Sequence, residues 1–386
     1  MTPEPYETTT SEPYETTTSE PYETTTSEPY ETTTPEPYGT KTSEPYTRAA
    51  VRRPASIKDV AAAAGVSATT VSHVLSGNRP VNEHTAARVR SVVNRLGYVP
   101  ASLARSLQAG STSVIGLLIP DISNTFFAEL AKGAEDAAHD LGYGLILCNT
   151  EFDADREDRY LGMIRSRFID GVVYASGSPP SRRRLEALMG KFPIALADEE
   201  VDGLQGALIA TADHEAGGRL VGEHLRALGH RRALMLTGPR ALKSSNARAN
   251  GFVRAFRGEV VERVGDFKET SGYGLVAKLL QEGGLPEDCT AVFAANDLMA
   301  FGALLALREA GLSVPEDVSV VGFDDIRAAS LAHPPLTTVH QPAYDVGRTA
   351  TAQLLQYVTR GEVPPASRHT LPVELKVRGS TAPAAR

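Results

Sequence analysis

The sequence predicts an α/β chain: a small all-α head, then a large doubly wound parallel α/β body. Three observations carry this. Residues 56–96 hold three short patterns with apolar residues at helical spacing and no strand-like run. From Val114 the period changes, and short continuous apolar runs alternate with amphipathic helices, the pattern of a parallel sheet covered on both faces. Between these regions, Pro100 and Gly110 bracket a segment long enough for two helical turns.

Residues 3–46 repeat a unit close to EPYETTTS, with Tyr at 6, 14, 22, 30, 38 and 46. Pro, Thr and Glu with almost no aliphatic residues cannot bury enough surface to offset the entropy of ordering, so residues 1–50 are expected to be a disordered acidic tail. The tail reads as an expanded repeat ahead of a start near Val51, as an acidic arm competing with DNA, or as a neutral extension.

Ser56 opens the first helix, with Asp59 three residues on as in a capping box and Val60, Ala61 and Ala64 as its apolar face. Gly65-Val66-Ser67 makes a turn, Ser67 caps a second helix over 68–75, and a loop follows at Gly77-Asn78-Arg79-Pro80. Asn82 caps a third helix to about Leu96, with Val89, Val92, Val93 and Leu96 at helical spacing. Two helices joined by a tight Gly turn form a helix-turn-helix, which presents the start of its second helix to a DNA major groove. The short segment 101–108 is marginal as an isolated helix and suits an element that orders on binding.

In the body, strands are expected at 114–119, 144–148, 171–174, 194–197, 208–210, 233–236, 291–294 and 318–321, enough for two sheets. Helices are expected at 126–140, 215–228, 246–257, 298–310 and 343–359, and the run Arg182-Arg183-Arg184 should begin a surface helix. Ligands in such folds bind beyond the carboxyl ends of strands. Asp121, Phe126, Phe127, Asp198, Asn296, Asp297 and Asp324 fall just after strands, and Arg248 lies near a helix start. Carboxylates, an amide, a guanidinium and aromatic faces on one cleft suit a sugar, whose hydroxyls need paired donors and acceptors and whose C–H surfaces stack on rings.

Residues 56 to about 378 resemble the lactose/galactose repressor family of bacterial transcription regulators. The matching pieces are IKDVAAAAGVSATTVSHVL, LGYVPASLARSL, VIGLLIPDISNTFFAEL, AANDLMAFGALLAL and VPEDVSVVGFDDIRAASLAHPPLTTVHQP, in that order. The resemblance implies a homodimer whose subunits carry a helix-turn-helix head (55–99), a hinge helix (100–110) and a two-lobed effector-binding and dimerisation body like a periplasmic binding protein (111–386). Its expected partners are double-stranded DNA with a pseudo-palindromic operator of about 14–20 base pairs and a small effector, a mono- or disaccharide. No cofactor or metal is implied.

Ala68, Thr69 and His73 sit at the start of the second helix, where base edges are read, and the resemblance assigns these positions to base contact together with Arg79. His73 as a solvent-facing residue, and Thr69 and Arg79 as phosphate contacts, remain open. Ser67, Thr70, Ser72, Asn82 and His84 look like groups that fix register on the DNA backbone. In the family paired hinge helices enter the minor groove and one Leu from each wedges the central base step; Leu107 occupies that place, with Ala104 one turn before it. Leu107 packing only against the body is the alternative.

The resemblance places effector contacts at Phe126, Asp198, Ser244, Arg248, Phe267, Asn296, Asp324 and Gln341. Plainer roles stay open: Asp324 beside Asp325 capping a turn, Asn296 capping a helix, Phe267 in the core, and Asp198 as a solvated charge in the run DEE. The head is nearest the purine-responsive branch (TVSHV), but that branch reads its base partly with an Arg where this chain has Leu242, so a sugar is preferred over a purine corepressor. A small-molecule binding protein with a non-functional head is the rival reading.

Charge agrees with a DNA reader. The chain carries a net −8, with about −8 in residues 1–50 and about +6 in residues 51–110, which lowers the cost of approaching phosphate there. No apolar run is long enough to span a bilayer and no signal peptide is evident, and Cys148 and Cys289 read as reduced core residues, so a cytoplasmic location is expected. No GxxxxGK[ST], GxSxG or HExxH occurs, and His340 and His369 have no evident catalytic partners in the sequence, so catalysis is not expected. The end after Val377 has no leucine heptad that would build a tetramer.

Overall fold

A computed structural model describes residues 55–77, 79–98, 111–164, 169–175, 177, 182–189, 192–201, 204, 207–361 and 368–384. The acidic tail and the hinge residues Ala104 and Leu107 lie outside the described residues. The chain divides between Val99 and Pro100 into two compact units.

The head contains α1 (Ile57–Ala64), α2 (Ala68–Ser76) and α3 (Glu83–Leu96). The capping box forms as its residue types dictate: Ser56 Oγ accepts from Asp59 N at 3.3 Å, and Asp59 Oδ2 accepts from Ser56 N at 2.7 Å. Gly65, Gly77 and Gly97 end the three helices in the left-handed region, where a Cβ would be strained. Val60, Val71 and Val89 are fully buried, and Arg88 Nε donates to Ala64 O at 3.0 Å, tying α3 to the end of α1.

The body has two six-stranded sheets. The N-terminal lobe contains β1 (Val114–Ile119), α4 (Thr125–Asp140), β2 (Gly144–Asn149), α5 (Ala154–Ile164), β3 (Gly171–Tyr174), α6 (Arg182–Met189), β4 (Ile194–Ala197) and β5 (Leu208–Ala212). The C-terminal lobe contains α7 (His214–Ala227), β6 (Arg232–Thr237), α8 (Lys243–Phe256), β7 (Glu259–Val264), α9 (Glu269–Gln281), β8 (Ala291–Ala294), α10 (Asp297–Glu309), β9 (Ser319–Asp324), α11 (Arg327–Leu331) and β10 (Thr337–His340). The chain then returns: α12 (Ala343–Arg360) and β11 (Arg368–Leu371) join the first lobe, and β12 (Glu374–Lys376) the second. Strand order is β11-β5-β4-β3-β1-β2 in one sheet and β12-β10-β9-β8-β6-β7 in the other. Every pairing is parallel except β10 with β12.

The central strands β3, β4, β5 and β8 are buried throughout, which is why they read as unbroken apolar runs. Helix pairs in both lobes approach through reciprocal glycines. A Cβ on Gly133 of α4 would stand 1.9 Å from Tyr344 O of α12, and one on Gly218 of α7 would stand 2.0 Å from Arg248 O of α8. Gly218 thus serves helix packing, and Gly217 lets α7 lie close on Phe323 of β9 and Val339 of β10. Ile326, following β9, joins the apolar core of the N-terminal lobe, with Leu298 and Phe301 of α10 packed against it, so the lobes share buried surface.

Candidate functional site

The residues expected to meet DNA begin in a folded first turn of α2. Ser67 Oγ accepts from Thr70 N at 3.1 Å and lies 2.9 Å from Thr70 Oγ1, so two of the expected backbone-positioning residues also cap α2. Val71 turns into the core with Ala68 packed beside it, which leaves Thr69 and Ser72 exposed and His73 half-buried. Arg79, Asn82 and His84 are exposed beyond α2, and Asn82 Oδ1 caps α3 through His84 N at 3.0 Å.

In the body, a cleft of about 590 Å³, open mouth included, lies between the lobes at the carboxyl ends of their strands. Phe126, Asp198, Ser244, Arg248, Phe267, Asn296 and Asp324 all line it. Gln341 does not; it donates from Nε2 to Asp324 Oδ1 at 2.6 Å and holds that carboxylate from behind. The sequence expected neither Asn124, Phe152, Glu199, Lys268 nor Leu298 on this wall.

Backbone strain marks the positions. Asp198 (φ 64), Phe267 (φ 67), Asp324 (φ 115) and Phe152 (φ 58) are non-glycine residues in a region L-residues avoid. Phe267 needs Gly238 beside it: a Cβ there would lie 2.1 Å from the ring. Asn296 has two structural tasks, accepting from Met299 N at 3.0 Å as the cap of α10 and donating to Phe267 O at 2.8 Å, while still facing the cleft.

Arg248 organises the charges. Its Nη1 donates to Ala295 O at 2.5 Å and lies 3.6 Å from Asp324 Oδ1, and its guanidinium stacks 4.1 Å over the Phe323 ring. Its Nε donates to His214 Nδ1 at 3.3 Å, which places the imidazole proton on Nε2, 3.3 Å from Asp198 O. Burial, with Arg248 adding to it, holds His214 neutral, its pKa well below 6.5. Asp198 is only 9% exposed, so the DEE run is not a solvated face. Burial pushes its carboxyl up to about 7 against the pull of Arg248, and pushes that of Asp324 up to about 6. Burial raises Asp297 well above 3.8, with Asp324 adding to it; its oxygens accept from Thr338 Oγ1 at 2.6 Å and Ile326 N at 2.9 Å, tying β10 and the segment after β9 to α10.

Comparison with known proteins agrees with both parts. Residues 56–101 match the family described as bacterial regulatory proteins, lacI family, and residues 223–381 match a periplasmic binding protein-like domain. The chain is 37% identical over 318 residues to the HTH-type transcriptional repressor PurR of Photorhabdus laumondii, spanning 79% of this chain and 90% of that protein. It belongs to the LacI family of bacterial regulators. The ribose operon repressor of Escherichia coli K12 is 36% identical over 322 residues, 79% of this chain and 94% of that one. Among solved structures, the lac repressor dimer bound to operator and an anti-inducer superposes with a TM-score of 0.74 at 29% identity, over 86% of this chain and all of that one. A LacI-family regulator of Enterococcus faecalis V583 with bound ribose superposes at 0.64 and 33% identity, over 70% and 100%. The LacI family is thus shown on sequence and fold together, and the homologues are transcriptional repressors. Among the described residues no helix is long and apolar enough to cross a membrane.

Proposed function

We propose that this LacI-family regulator represses carbohydrate genes and is no enzyme, and that a mono- or disaccharide in the interlobe cleft sets its operator affinity. The observation that carries this is the wall itself: Asp198, Asp324, Ser244, Arg248 and Asn296 are buried polar groups around one cavity that Phe126, Phe127, Phe152 and Phe267 also line. Leu242 lines the same cavity, so the position from which the purine-responsive branch reaches a base carries no donor. Ribose, named for two of the relatives, is the first sugar to try.

DNA is read by Ala68, Thr69, His73 and Arg79, oriented by Ser67, Thr70, Ser72, Asn82 and His84. Leu107, with Ala104, wedges the central step of the operator from the hinge. A second copy completes the palindrome-reading unit. The edge strand β2 offers exposed Ile146 and Leu147, with Ile122 and Leu141 also exposed in that lobe, as the apolar surface for it. Ligand closes the cleft and shifts the hinge segment between its DNA-bound and released states.

The test is selection from randomised duplex DNA by the purified full chain at fixed salt, with and without D-ribose and other neutral sugars. A palindrome with a flexible central step, whose enrichment a sugar changes, is the expected result. No enrichment under any condition would overturn the repressor reading in favour of a binding protein with an idle head.

A further inference from the structure

We infer that Glu199 sets the charge of the ligand that the cleft accepts: it closes the site to anions and restricts it to neutral, proton-donating molecules. This rests on the reading of the cleft as the effector site.

Helix α8 starts at Leu242 with no side-chain cap of its own and no acidic residue in its first turn. The N–H groups of its first turn, where Ser244 lines the cavity, form the kind of positive end that elsewhere seats phosphates and carboxylates. Here the seat is filled from the other lobe. Glu199, one residue past Asp198 beyond β4, reaches across and accepts from Lys243 N at 2.7 Å and Ser244 N at 3.3 Å with Oε1. Its Oε2 accepts from Ser244 Oγ at 2.6 Å. Glu199 is 4% exposed, so the carboxylate is part of the wall and not a mobile surface charge.

A second observation on the same wall points to what the ligand must bring. Asp198 Oδ1 is buried and accepts no hydrogen bond; the nearest cation-forming atom, His214 Nε2, is 3.6 Å away. A buried acceptor without a donor asks for an O–H or N–H from whatever enters. An anionic group would instead meet Asp198, Glu199 and Asp324 against one guanidinium already held by Ala295 O and Asp324. Lys268 stands exposed at the rim, over the Phe152 ring at 5.6 Å. The ligand that satisfies all of these is uncharged and rich in hydroxyls.

The test uses the full chain as wild type, Glu199→Ala and Glu199→Gln, with inorganic phosphate as the anion probe. Melting is followed against sodium chloride of equal ionic strength. Phosphate should leave the wild type where the chloride control leaves it. Glu199→Ala should melt lower and recover with phosphate at millimolar concentration, because the helix end is now free to take it. Glu199→Gln keeps the size of the side chain and removes only its charge, so it guards against a variant that fails to fold. Its phosphate affinity should exceed that of wild type by at least ~10-fold. A phosphate affinity in both variants no higher than that of the wild type would overturn the inference. The head is the same in all three proteins, so phosphate held there cancels. Operator binding, measured alongside, separates this outcome from failure of the repressor reading: only the latter predicts wild type that does not bind DNA.

Discussion

Replacing Asp198 by Asn should stabilise the protein, by an amount that grows as pH rises from about 4 to 7 and is full above that. In the folded chain its carboxyl is pushed up to about 7 from an ordinary 3.8, chiefly by burial and further by Glu199 and Asp324. A carboxyl raised in this way contributes stability that is fully present below its ordinary value of 3.8 and is lost progressively as pH rises to the folded value of about 7. At about 1.4 kcal/mol per tenfold change in proton affinity, a rise from 3.8 to about 7 amounts to ~4 kcal/mol, all of it lost by pH 8. The strained φ of 64 is unaffected, since Asn tolerates that region as well as Asp does. Asn is neutral at every pH, whereas the unfolded Asp198 carboxyl is already ionised at pH 5, so the variant should be ahead by ~1–2 kcal/mol at pH 5 and the offset should grow up to pH 8. At pH 8 the variant should be more stable by ~2–4 kcal/mol, or ~5–10 °C for a body of this size. The assay is thermal melting of both proteins by circular dichroism from pH 5 to 8 without ligand. An offset that does not grow with pH, or a variant less stable than wild type at pH 8, would refute the account of Asp198 as a charge buried at a cost.

Arg248→Ala removes the one buried cation of the cleft among the described residues and should weaken sugar affinity by ~1.5–3 kcal/mol, abolishing the response while operator binding in anisotropy titrations stays intact; a normal response at normal ligand concentration would show that the cleft is misassigned. His73→Ala should lower the specific-to-nonspecific affinity ratio by ~1–3 kcal/mol and relax selection at one base position, leaving the salt slope unchanged; a slope that falls by about one instead would make it a phosphate contact. Gly218→Ala places a methyl group 2.0 Å from Arg248 O and should cost ~1–3 kcal/mol by prising α7 from α8; an unchanged melting temperature would mean that this helix pair can separate freely.

Elements whose residues are buried on both faces were legible in the sequence, because nothing polar interrupts them. β10 was not, since it reads TTVH, yet its threonines are fully buried. Thr337 and Thr338 find partners in Ser380 and Asp297 at 2.8 and 2.6 Å, contacts made across 43 and 41 residues of chain. β7 reads EVVERV and sits at a sheet edge, where burial is partial and the pattern weak. β9 runs on to Asp324, past the expected end at Val321, because Gly322, Phe323 and Asp324 pair with β10. The same contrast holds in the site. Asp198, Asn296 and Asp324 could be named because strand ends place them whatever the other lobe does. Glu199 could not, because it looks like one of three solvated acids until α8, 44 residues on, is seen to close over it. Phe152 has no periodic element to announce it. Local pattern finds residues that a strand positions; it cannot find those whose burial depends on the second lobe.

The cleft is built to be incomplete, and the size of the gap matters for switching. Taking a two-state protein from about 1:99 to 99:1 needs ~5.5 kcal/mol of preferential binding to one state. Tightness of binding alone does nothing, so contacts must exist in the closed form that the open form lacks. On the cleft wall, Asp198 Oδ1 is a buried acceptor without a donor. Relieving one such group is worth ~1–3 kcal/mol. Asp198 belongs to the N-terminal lobe, whereas Ser244, Arg248 and Asn296 belong to the C-terminal lobe, so a hydroxyl-rich ligand bonded to both sides gains these contacts only when the lobes are together. Two or three of them reach the required ~5.5 kcal/mol. A ligand that contacts one lobe alone could bind as tightly and leave the operator affinity where it was.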